Sequence, residues 1–146
     1  MRRNAEGWFC WSWVGALAAT GGTILGIGVG GVLGLMAARL AGIPDYGGAL
    51  NHVLVGASVV GAVGCYGALA LARDSRAVPT VLFVLVLLST ARGAADLLTG
   101  AIAAMFSTTF GTAISIAVFL YVLIPLLAPL IARFLAALVP WPDPDR

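Results

Sequence analysis

Arg92 and Asp96 stand four residues apart within an apolar stretch running from Ala77 to Leu98. That spacing puts both side chains on one face of a helix. A charge inside hydrocarbon is costly unless paired or wetted, so intramembrane charges mark permeation routes, ligand contacts or partner contacts. With arginine on the N-terminal side, the pair has the less favourable order for a helical ion pair. Its plain structural role is a snorkelling or mutually satisfied pair near a membrane surface.

Other polar residues join the pair if the apolar stretches alternate in direction. Arg39, Asn51 and His52, together with Asp96, Ser107 and Thr108, then fall near one level, with Arg92 slightly deeper. Such a cluster could hold an anion or lipid headgroup between two arginines, gate a small solute or receive a partner protein. His52 is the single histidine, which excludes bis-histidine haem ligation within one chain and leaves one imidazole as an option for a pigment metal. The expectation is no cofactor and no metal. Cys10 and Cys65 form no CxxC motif and have no histidine at metal spacing, so both read as small apolar packing residues. Asp45, Asp74, Asp96 and His52 are the carboxylates and histidine between the first and last spans and form no nucleophile–base pair. A non-enzyme is expected.

The elements that must position these residues are membrane spans. The 146 residues are 61% hydrophobic and 10% charged, against about 25% charged for a soluble domain. A span needs roughly 20 apolar residues, so four would consume nearly the whole chain. Apolar segments lie at 13–38, 50–72, 77–98 and 112–131. Turn chemistry separates them: Gly, Pro and Asp in Ala41–Gly48, then Arg73-Asp-Ser-Arg76 ahead of Pro79. The run following Met1-Arg2-Arg3 continues past the roughly 7–15 residues of a signal-peptide core. It reads as a retained first span.

Arg2, Arg3, Arg73, Arg76, Arg133 and Arg146 fall on one side and Arg39 on the other. The positive-inside rule then predicts both termini in the cytoplasm, in a bacterial inner membrane. Trp8, Trp11, Trp13 and Trp141 occupy that same side as interfacial anchors. The net charge of +2 is small and scattered, which argues against a nucleic-acid partner. Pro125 and Pro129 each remove a backbone donor, so a kink is expected in the fourth helix. Residues 132–141 would then lie along the inner surface.

Gly22, Gly26, Gly30 and Gly34 recur every four residues and strip one helix face of side chains. Gly56, Gly61 and Gly64 give the second span a similar face. In lipid, small-xxx-small faces let backbones approach and gain van der Waals contact, within one chain or between chains. Gly26-Ile-Gly28-Val-Gly30-Gly31 also satisfies GxGxxG, but a membrane span lacks the strand and acidic ribose ligand of a dinucleotide site.

The expectation is an all-α, four-span bundle forming one membrane domain. Its expected role is a small non-catalytic subunit or stabilising partner of a larger membrane complex, through partner proteins or self-association. A homo-oligomeric channel or transporter using Arg92 and Asp96 is the alternative.

Overall fold

The computed structural model describes residues 12–106 and 109–140, and only the backbone at 46, 47 and 92. Trp8, Trp11, Trp141, Cys10, Ser107, Thr108, Arg2, Arg3 and Arg146 lie outside the described residues. The described chain is four helices: α1 (Trp13–Leu40), α2 (Tyr46–Leu71), α3 (Ala77–Phe106) and α4 (Phe110–Leu138). Three helices are long and apolar enough to cross a membrane, and α3 makes a fourth if its two bent parts count as one span. The end where α1 begins and α4 finishes is called proximal below, and the opposite end distal.

Local chemistry sets the helix limits. Ser12 Oγ accepts from the Gly15 amide and the Asp45 carboxylate from the Gly48 amide, at 3.2 and 2.6 Å. Each satisfies an amide that has no partner within its helix. Both α1 and α2 finish in a left-handed residue, Gly42 (φ 66°) and Arg73 (φ 50°). After each, the next amide reaches back to the helix, Ile43 to Ala38 O and Asp74 to Leu69 O. Glycine takes this conformation without strain, whereas arginine accepts a steric cost there. The reversal at Arg73 sets Asp74 at the proximal end.

α1 and α2 pack backbone to backbone. A Cβ added at Gly22 would fall on the Gly64 carbonyl oxygen; at Gly26, Gly30 and Gly34 it would fall on those of Val60, Gly56 and His52. A Cβ at Gly21 or Gly28, on other faces of α1, would meet nothing. The four-residue stripe thus faces α2 along most of α1. The contact relies on close van der Waals approach, as small-residue faces do between membrane helices.

Contacts run from α1 to α2, α2 to α3, α3 to α4 and back from α4 to α1. The core of this ring is proximal: Ala19, Cys65, Leu69, Ala77, Val84, Leu88, Ala128 and Ala132. Distally the two hairpins lose that core. α3 bends by 48° between Ala91 and Gly93. Beyond the bend only Ala95 of α3 is buried among the described residues, and α4 buries none from 110 to 127.

Through Pro125 and Pro129, where a kink is expected, the chain remains one helix. α4 runs through both prolines to Leu138, so 132–138 continues the helix instead of separating as a surface segment. The reason is packing: Ala132, Arg133, Ala136 and Ala137 are buried against the other helices. The sharp bend is in α3, next to Ser89, Thr90 and Gly93. Thr90 Oγ1 donates to the carbonyls of Val86 and Leu87, at 2.9 and 3.2 Å, a back-bond that bends helices.

Candidate functional site

The distal polar residues divide between the hairpins. Arg39 sits exposed in the last turn of α1. Asn51 and His52, on α2, line a groove of about 400 Å³ with Leu33, Gly34, Ala37, Val55 and Gly56. His52 Nδ1 donates to the Gly48 carbonyl at 2.9 Å. A carbonyl only accepts, so Nδ1 carries a proton. This groove is walled by α1 and α2 alone; Asp96 does not line it.

Asp96 lies on α3 one turn beyond the bend and is exposed. Tyr121 Oη of α4 donates to Asp96 Oδ1 at 2.8 Å. Tyr121 and Arg133 are three turns apart on α4, roughly 18 Å at 1.5 Å per residue. Arg92 is the residue at which α3 bends. The structure therefore joins Asn51 with His52, and Asp96 with Tyr121, on separate hairpins.

A second polar cluster, proximal and buried, draws on α1, the α2–α3 turn, α3 and α4. Asp74 Oδ2 and Arg133 Nη2 are 2.6 Å apart, with side chains 8% and 2% exposed. Asp74 Oδ1 also accepts from the Arg76 amide at 2.9 Å. Arg133 Nη1 reaches Thr80 Oγ1 at 3.4 Å, and that hydroxyl donates to the Arg76 carbonyl at 2.7 Å. Arg76 Nη1 then donates to the carbonyls of Ala136 and Val139, at 2.5 and 2.8 Å. These carbonyls lie at the C-terminus of α4, where no further helical amide follows and a cation is favoured.

α1 completes this cluster with an absence of side chain. A Cβ at Gly15 would fall on Asp74 Oδ2 and lie 3.2 Å from Arg133 Nη2. Local spacing does not reveal the Asp74–Arg133 pair, because its members are 59 residues apart. The available signal was an arginine set among Ala132, Ala136 and Ala137, a small-residue face that a neighbouring helix can approach.

Chemically the proximal cluster is a clamp. Its carboxylate, guanidinium and hydroxyl groups meet one another and backbone carbonyls, Arg133 Nε alone among the cluster's buried side-chain atoms having no hydrogen bond, and no nucleophile is set against a base. The distal residues offer hydrogen-bonding groups on apolar walls, a chemistry of contact. Comparisons with protein families, with curated proteins and with solved structures return no match.

Proposed function

We propose that this chain is a small non-catalytic subunit of a larger membrane assembly, and that the distal parts of α3 and α4 form its docking surface. In this reading it is a four-span bundle in a bacterial inner membrane, with the proximal end and both termini in the cytoplasm. The proximal Arg73, Arg76 and Arg133 against the distal Arg39 support that orientation.

The observation that carries the reading is the exposed Asp96 on an uncovered apolar hairpin. Leu97, Met105, Phe106, Phe110, Val118 and Phe119 of the same hairpin are exposed apolar side chains. With the clamp at the cytoplasmic interface, Tyr121 and Asp96 lie roughly 18 Å inward along α4, within a hydrocarbon core of about 30 Å. A carboxyl group at that depth has room for polar partners beyond Tyr121, and intramembrane ionisable residues face protein or water far more often than lipid. A second transmembrane protein with a donor at that level is such a partner.

Purification from native membranes in a gentle detergent tests the proposal. Stoichiometric co-elution of a second membrane protein, lost in Asp96→Leu while the variant remains folded, is the expected result. Elution of the chain alone overturns it, as does robust solute flux through vesicles holding only this chain.

A further inference from the structure

The bend in α3 and Pro125 of α4 lie at one level. Thr80 meets Arg133 and Asp96 meets Tyr121, which fixes the antiparallel register of the two helices. Interpolating between these contacts sets Pro125 opposite residues 88–92, where α3 has Ser89, Thr90 and its 48° bend. Both strands of the hairpin are thus weakened together.

The causes of weakness are independent. In α4, Pro125 supplies no amide to the Tyr121 carbonyl and Pro129 none to that of Pro125. In α3, the Thr90 hydroxyl competes for the Val86 and Leu87 carbonyls. Gly93 follows, with open space where a Cβ would be, so its flexibility is not restrained by packing. Proximal to this level α4 buries Ala128, Pro129, Ala132, Arg133, Ala136 and Ala137. Distal to it, from 110 to 127, α4 buries no residue.

We infer that the distal parts of α3 (93–106) and α4 (110–124) form a lever, hinged at Thr90–Gly93 and at Pro125, that swings against the α1–α2 hairpin. The clamp of Asp74, Arg76, Thr80 and Arg133 is its fixed base. Phe106 and Phe110 are only four residues apart in the chain, and Tyr121 holds Asp96, so the two segments move together. Hinge motions concentrate the backbone change in a few residues. The inference does not depend on the proposed subunit role.

Double spin labelling of the full chain in lipid bilayers, with Cys10→Ala and Cys65→Ala, tests it. Leu40 of α1 and Met105 of α3 are exposed distal positions; Leu71 of α2 and Leu138 of α4 are exposed proximal ones. The expected result is a broad or two-peaked distance distribution for Leu40–Met105 and a narrow one for Leu71–Leu138. Combining Gly93→Ala with Pro125→Ala is expected to narrow the distal distribution to the proximal width. Equally narrow distributions in the unmodified hinge overturn the inference. A broad distal distribution that the double substitution leaves unchanged overturns the assignment of the hinge to these residues.

Discussion

Asp74 Oδ2 lies 2.6 Å from Arg133 Nη2, so the turn after α2 is tied to a residue 59 positions later in α4. Bringing both charges out of water is costly, and only their attraction and added hydrogen bonds offset it. Removing one partner strands the other. Arg133→Met is expected to lower stability by about 3–5 kcal/mol, and Asp74→Asn combined with Arg133→Met by markedly less. Unfolding of the single and double variants in mixed detergent micelles measures the coupling. Equal losses in the two would show that the pair is not energetically joined.

Glycine positions on α1 should separate sharply by face. Gly26→Ala sets a methyl group on the Val60 carbonyl oxygen and Gly15→Ala sets one on the Asp74 carboxylate. Each is expected to destabilise by about 1–3 kcal/mol, the usual range for overpacking. Gly28→Ala points into open space and should be neutral or stabilising by up to about 1 kcal/mol through helix propensity. Thermal denaturation in one detergent compares all three.

Arg76 closes α4 by donating to Ala136 and Val139. Arg76→Ala is expected to cost about 1.5–3 kcal/mol, the range for hydrogen bonds to charged groups. Amide exchange should accelerate in the last turn of α4 and remain unchanged in α1. Uniform acceleration across all helices would instead mean that Arg76 supports the whole bundle.

Tyr121→Phe removes the hydroxyl that Asp96 accepts from. The stability loss should be about 0.5–1.5 kcal/mol, the net contribution of one hydrogen bond. Its larger effect should fall on partner retention, read as the fraction co-eluting after detergent extraction. A large loss of stability with full partner retention would contradict the assigned role.

The sequence discloses those features that repeat at short range. Apolar length marks the spans, and the four-residue glycine period identifies the α1 face that α2 approaches, because both are properties of a single helix. The clamp is different in kind. Arg73-Asp-Ser-Arg76 reads as a charged turn and Arg133 as a surface anchor until the chain folds and joins Asp74 to Arg133. α4 shows the same limit. Pro125 and Pro129 signal a kink with a surface segment beyond it, yet α4 continues to Leu138 with Ala132, Arg133 and Ala136 buried. Likewise, local spacing pairs Arg92 with Asp96, whereas the hydrogen bond described for Asp96 comes from Tyr121, on another helix.

Site-specific photo-crosslinking in native membranes tests the proposed docking surface most directly. A crosslinker at Leu97 or Phe119, on the uncovered distal hairpin, is predicted to capture one defined membrane protein in a yield that falls with Asp96→Leu. The same group at Leu17 of α1, equally exposed to its surroundings, should capture lipid only. Lipid adducts alone at Leu97 and Phe119 would contradict the account.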